Sequence, residues 1–158
     1  MLTSTDTGSL ATGAGRRFVV VASRYNARFV DGMLEAAITT FQAAGAPTVD
    51  VFRVPGAWEI PVAAAAVVRR PGVKPDAVVC LGLILQGETS HARHIGDSVS
   101  DALMRLSVKQ GVPIIHEVLT VNTEAQAEAR CLDPRTNRGA EAARTALEMA
   151  ALMDRIAG

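Results

Sequence analysis

Short runs of aliphatic and β-branched residues alternate along this chain with longer segments whose apolar residues recur at helical spacing. Few folds accommodate that alternation. Arg17 to Ala22 is a continuous apolar run bounded by Ser23 and Asn26, which predicts a buried parallel strand. Phe29, Val30, Met33, Leu34, Ala37, Ile38 and Phe41 follow at helical intervals, with Gly45 as a stop. A second strand is expected from Val49 to Val54, ended by Pro55-Gly56, and a helix from about Pro61 to Arg69, broken by Pro71-Gly72. Ala77 to Leu85 is the most apolar run and reads as a central strand. After the turn Gln86 to Ser90, Ile95, Val99, Ala102, Leu103 and Leu106 form a helical stripe that ends near Gly111. Pro113 to Thr120 reads as a fourth strand, and Asn122 or Thr123 caps a short helix through Arg130. A loop from Cys131 to Asn137 precedes a last helix, on which Ala142, Ala146, Met149, Met153 and Ile156 share a face.

Strand-helix alternation of this kind implies a parallel sheet covered on both faces through right-handed crossovers. The expected architecture is a single-domain, three-layer α/β sandwich of the flavodoxin-like type, with four parallel strands between helices. Residues 1–15 are small and polar and read as a flexible N-terminal arm, leaving 16–158 as the domain. A chain of 158 residues suits one core, and neither a repeat nor a linker interrupts it. In open parallel sheets, ligands bind at the carboxyl ends of the strands.

Charge narrows the partners. The 16 basic and 16 acidic side chains cancel, so no global field recruits nucleic acid or an anionic membrane. Any anion recognition is therefore local, and a near-neutral surface fits self-association. Cys80 lies in an apolar run and Cys131 far from it, without the spacing of a structural zinc site or a disulfide framework. Arg16-Arg17 precedes an apolar run too short for an export signal, and nothing approaches a membrane span, so the cytoplasm is the expected location.

Four segments at the expected strand ends carry chemistry. In Ser23-Arg24-Tyr25-Asn26, the chain's single tyrosine either stacks on a planar ligand or closes the core, and Asn26 suits a helix cap. In Val54-Pro55-Gly56-Ala57-Trp58-Glu59-Ile60-Pro61, Gly56 admits close backbone approach. Glu59 there either simply opens a helix or accepts hydrogen bonds from sugar-like hydroxyls. Gly87-Glu88-Thr89-Ser90-His91 opens a helix with small residues, which presents unpaired N–H groups to an anion. His91 follows that turn, and an imidazole with a reference pKa of about 6.5 suits proton transfer, although a solvated first-turn histidine is equally ordinary. A metal site from His91, His94 and Asp97 is disfavoured, because the third ligand swings off the shared face. Arg130, with Arg135, Asn137 and Arg138 beyond it, reads either as a solvated helix end or as a guanidinium for phosphate.

Together, Ser-Arg-Tyr-Asn, Val-Pro-Gly-Ala-Trp-Glu-Ile-Pro, Gln-Gly-Glu-Thr-Ser-His and Asn-Arg-Gly-Ala-Glu-Ala-Ala, in this order from about Arg17 onward, resemble the 6,7-dimethyl-8-ribityllumazine synthases. These are the penultimate enzymes of riboflavin biosynthesis. The resemblance implies condensation of 5-amino-6-(D-ribitylamino)uracil with 3,4-dihydroxy-2-butanone 4-phosphate, without cofactor or metal. It implies that Tyr25 stacks on the pyrimidine beside Asn26, that Gly56 and Ala57 offer backbone contacts, and that Glu59 binds the ribityl hydroxyls. It likewise implies that Ile84 and Leu85 face the pyrimidine through their backbone, that Glu88 and Thr89 form the phosphate turn, that His91 transfers protons and that Arg130 holds the phosphate.

Four positions depart from the family's usual residues. Gln86 stands where arginine is frequent, His116 where phenylalanine is common, Arg138 where lysine is common, and Pro134 at another frequent lysine. The resemblance places His116 and Arg138 in the substrate pocket too. It further implies a homopentamer or larger shell whose pocket is shared between adjacent subunits, with His116 and Arg130 crossing the interface, and riboflavin synthase as a partner. A non-catalytic flavin-binding or shell-forming protein on the same fold is the competing expectation, under which His91 has no task. A flavodoxin-like electron carrier fits less well, since the first strand-end loop is not a phosphate loop.

Overall fold

A computed structural model describes residues 9–158. Four parallel strands run in the order β2-β1-β3-β4: β1 (Arg17–Ser23), β2 (Thr48–Val54), β3 (Ala77–Leu85) and β4 (Ile114–Val121). Helices α1 (Ala27–Ala43), α2 (Ile60–Arg69), α3 (His91–Gln110), α4 (Glu124–Cys131) and α5 (Arg138–Ala157) connect or follow them, and a 3₁₀ turn, Ala57–Glu59, leads into α2. The architecture is the flavodoxin-like α/β sandwich expected from the sequence.

Side-chain alternation along the strands divides the core into two layers. Phe18, Val20, Ala22, Val79 and Leu81 face α1 and α5, whereas Val19, Val21, Val78, Cys80 and Ile84 face α2 and α3. Both faces of β1 and β3 are covered, which explains their unbroken apolar runs. Each fully buried Val or Leu contributes roughly 1.5–3 kcal/mol by leaving water. Phe18 stacks on Phe41 with ring centroids 4.5 Å apart, tying β1 to α1. Cys80 is buried among these residues, and burial pushes its thiol up to about 12, so it stays protonated and unreactive near neutral pH. The outer strand β2 departs from the expectation of a sheet covered throughout, because Val51 and Phe52 remain partly exposed at the edge.

The helix ends follow their residues. Gly45 lies in the left-handed region, with φ 79°, just past α1, and its amide donates to Gln42 O at 3.0 Å. At the start of α5, Gly139 is required for a different reason. A Cβ there would lie 1.9 Å from the carbonyl oxygen of Met33, so α1 and α5 meet backbone to backbone. Asn137 caps α5 through Gly139 N at 2.8 Å, and its amide donates to Cys131 O at 2.7 Å and Gly32 O at 3.2 Å. The expected arm is described only from residue 9. Gly13 is buried and its amide donates to Ala44 O at 2.8 Å, and residues 1–8 lie outside the described residues. No helix among the described residues is long and apolar enough to cross a membrane.

Candidate functional site

Parallel strands bring the loops after β1, β2 and β3 to one edge of the sheet. The β1 loop continues the pairing with β2, since Arg24 N donates to Val54 O at 2.8 Å and Tyr25 N to Pro55 O at 2.9 Å. The backbone then turns sharply at Asn26, the only non-glycine residue with positive φ among the described residues (φ 58°, ψ 43°). Such a conformation costs of order 1–3 kcal/mol and persists where surrounding contacts enforce it. Here the enforcing contact crosses the sheet: Asn26 Nδ2 donates to Leu83 O at 2.8 Å. Asn26 thus makes no side-chain cap on α1, contrary to the cap expected, because its amide is spent on β3. Tyr25, held by this strained turn, is 74% exposed, so it does not close the core.

At the β2 end, Glu59 Oε2 accepts from Gly56 N at 2.9 Å and closes the turn that starts α2. The next residue, Ile60, is fully buried and anchors the turn, which packs against β3 and α3. Glu59 therefore does open a helix, yet Oε1 has no hydrogen-bond partner among the described residues and stays available for a ligand hydroxyl. Ala57 is half-buried beside it and Trp58 is exposed. At the β3 end, Ile84 points into the core while Leu85 is exposed.

The turn after β3 is organised by Gln86. Its backbone amide extends the β3–β4 ladder to Val121 O at 2.7 Å, and its side-chain amide donates to Thr89 O at 3.0 Å and Gly87 O at 3.3 Å. Gln86, which stands where arginine is frequent in the resembled family, thus staples the turn. Ser90 precedes α3 without capping it, and the amides of Glu88, Thr89 and Ser90 have no partner among the described residues. By contrast, Thr123 caps α4 through Gln126 N at 3.2 Å. His91, the first residue of α3, is exposed beside these open donors, and its own amide reaches Thr89 Oγ1 only at 3.5 Å. Open N–H groups at a helix start attract anions.

The remaining residues sit around β4. His116 and Glu117 are consecutive, so they face opposite sides of the sheet. His116 lies on the α3 side, where Nε2 meets Ser100 Oγ at 2.8 Å and Nδ1 accepts from Val118 N at 3.3 Å. Ser100 Oγ in turn donates to Gly96 O at 2.7 Å, which assigns the proton to Nε2. Glu117, 6% exposed, faces α5 and escaped the sequence reading. Arg138 Nη2 donates to its Oε1 at 3.0 Å and Nε to its Oε2 at 3.4 Å, while Nη1 donates to Glu141 at 2.7 Å. Burial raises the Glu117 carboxyl above its ordinary value, and Arg138, with Arg130 more weakly, pulls it back down. The missed signal was a lone carboxylate at an inward position between Ile115 and Leu119.

Arg130 lies in the last turn of α4, is exposed, and its side chain makes no ion pair or hydrogen bond among the described residues. Helix α4 itself is held to α1 by Arg28, which pairs with Glu128 at 2.8 Å and Glu124 at 3.3 Å. Arg135 is occupied with Asp133 at 3.0 Å. No group of three His, Cys, Asp or Glu residues among the described residues is placed to hold a metal ion. A cavity of about 50 Å³ between Arg17, Val19, Phe52 and Pro71 lies at the amino end of the sheet, away from these loops, and holds little more than water.

An exposed aromatic, a carboxylate with one oxygen unpaired among the described residues, an uncapped helix start and an imidazole thus lie at the carboxyl edge of the parallel sheet, where open α/β folds bind ligands. The family model for 6,7-dimethyl-8-ribityllumazine synthase matches residues 15–154. The chain is 39% identical over 145 residues to the 6,7-dimethyl-8-ribityllumazine synthase of Xylella fastidiosa (strain M12), covering 90% of this chain and 93% of that one. It is 40% identical over 140 residues to that of Xanthomonas campestris pv. campestris (strain B100), with 87% and 90% covered. For that of Stenotrophomonas maltophilia (strain R551-3) the figures are 37% over 151 residues, with 94% and 96% covered. The chain belongs to the 6,7-dimethyl-8-ribityllumazine synthase family, and it is a transferase of riboflavin biosynthesis with small-molecule substrates.

Proposed function

We propose that this site joins 5-amino-6-(D-ribitylamino)uracil to 3,4-dihydroxy-2-butanone 4-phosphate, with the pyrimidine over Tyr25 and the phosphate at the start of α3. The carrying observation is the uncapped turn Glu88–Ser90 with His91 beside it, a set of backbone donors with no partner among the described residues. The amine attacks the ketone and loses water to give an imine. Phosphate then leaves, the ring closes and a second water is released. His91 moves the protons. Gly56 and Ala57 offer backbone to the pyrimidine substrate, as do Ile84 and Leu85, and Asn26 fixes the loop that carries Tyr25. Glu59 Oε1 takes a ribityl hydroxyl, and Thr89, the Glu88 amide and Arg130 take the phosphate. Holding two soluble molecules in register supplies much of the acceleration. No metal or cofactor is called on.

One subunit is half of the site in this reading. Tyr25, Glu59 and His91 belong to the loops after β1, β2 and β3, whereas His116, Arg130 and Arg138 belong to β4, α4 and α5. Tyr25, Trp58 and Leu85 stand exposed at the site edge, and Val51 and Phe52 at the sheet edge, as apolar surface that a second copy would cover. We therefore assign a homo-oligomer, a pentamer or a multiple of it, in which Arg130 and His116 serve the neighbour's Tyr25 and His91. The enzyme works in the cytoplasm, and riboflavin synthase takes up its product as a partner.

Mixing the purified protein with both substrates and following lumazine fluorescence and phosphate release tests the reaction; a rate equal to the uncatalysed background ends the enzyme reading. His91→Ala is expected to lower kcat about 10- to 100-fold, at the lower end of general acid–base effects, because positioning survives. Its KM for the pyrimidine should stay near the unmodified value, and unchanged kcat would remove His91 from proton transfer. Sedimentation should show an assembly at micromolar concentration, and a stable active monomer would dispose of the shared pocket.

A further inference from the structure

Glu117 is a buried carboxylate that the reaction does not call on, and its hydrogen bonds come from one guanidinium, that of Arg138. Arg138 gives it the Nε edge, the face a guanidinium uses for bidentate recognition, and gives Nη1 to Glu141. The charge of Arg138 is thereby offset by two carboxylates. Arg130 feels the same Glu117 carboxylate electrostatically but bonds to no described residue. Arg138, which opens α5, is committed, and Arg130, in the last turn of α4, is open among the described residues. We propose that Glu117 is a positioning residue that holds Arg138 by its Nε edge, keeps that cation out of the phosphate subsite, and leaves Arg130 as the guanidinium that binds phosphate reversibly. The proposal rests on the assignment of Arg130 to phosphate made above. A site with a single uncommitted arginine binds the phosphate ester yet lets inorganic phosphate go, whereas two would retain the leaving group.

The test measures inhibition by inorganic phosphate in the intact assembly. Glu117→Gln keeps size and removes the charge, so Ki for inorganic phosphate should fall about 3- to 10-fold, the scale of one unit charge acting across a partly solvated site. KM for the phosphate-bearing ketone should fall with it, KM for the pyrimidine should hold, and the gain should shrink with salt. Glu117→Asp retains the charge and should stay near the unmodified Ki. A merely structural carboxylate predicts looser phosphate binding in both variants, and an unchanged or higher Ki in Glu117→Gln overturns the proposal. Should Glu117→Gln fail to fold, crystals of the unmodified protein soaked in inorganic phosphate decide the matter. Phosphate on Arg130 with Arg138 still on Glu117 supports the proposal, and phosphate on the Nε edge of Arg138 overturns it. Arg130→Ala in the same assay separates the two layers of argument. If it leaves Ki unmoved, the phosphate assignment falls and takes the proposal with it; if it raises Ki while Glu117→Gln does not lower it, only the role of Glu117 falls.

Discussion

Arg130→Ala is expected to raise KM for the phosphate-bearing ketone about 10- to 100-fold, since a hydrogen bond to a charged group is worth roughly 1.5–3 kcal/mol. KM for the pyrimidine should change little, and equal effects on both substrates would contradict the assignment. The prediction is clean because Arg130 makes no ion pair or hydrogen bond among the described residues, so its removal orphans no carboxylate. Thermal stability should therefore stay level. Arg130→Lys should recover part of the loss, because an ammonium keeps the charge but lacks the planar fork. Arg138→Ala differs in kind: it strips a buried carboxylate of its partner, which costs about 3–5 kcal/mol in comparable cases. Reading its kinetics as loss of a substrate contact would confuse folding with binding.

Gly139→Ala is the substitution expected to damage stability most. The added methyl would sit 1.9 Å from Met33 O and 2.6 Å from Met33 Cα, both backbone atoms with no rotamer to change. Helices α1 and α5 would have to part, which also pulls Asn137 from Gly32 O and Cys131 O. A loss of about 3–5 kcal/mol is expected, a large share of the 5–15 kcal/mol that holds a typical domain. For a subunit of this size that lowers Tm by about 10 °C or prevents recovery of folded protein. Gly87→Ala is the control, since nothing lies within 4 Å of its Cβ position. A Gly139→Ala protein that melts within a few degrees of the unmodified one would refute the close approach.

Much of the architecture was legible because it is repeated along the chain. The apolar runs read as strands, with Arg17 to Ala22 buried and Ala77 to Leu85 central, and each amphipathic segment as a helix with one buried face. The runs Arg17 to Ala22 and Ala77 to Leu85 became β1 and β3 for that reason, with His91 opening the helix between β3 and β4. The site was less legible. Tyr25 could have closed the core or faced solvent, and only the sharp turn at Asn26, tied to Leu83 O, turns it outward. Glu59 looked like a choice between helix start and ligand group, whereas one oxygen closes the turn and the other is left open.

Local order, strand and helix identity and the set of chemically equipped turns follow from periodicity and residue type, which act over a few positions. Their meeting at one edge follows from parallel topology, which those patterns already imply. Pairings between distant residues do not, because a side chain's partner depends on packing across many tens of positions. Glu117 with Arg138, Asn26 with Leu83 O and Gly139 against Met33 O are contacts of that kind. The turn at Gln86 makes the point within four residues: by sequence it stands where arginine is frequent, and in the fold its amide shapes the turn before α3. Burial and hydrogen-bond geometry decide such roles, and they exist only once the chain has folded.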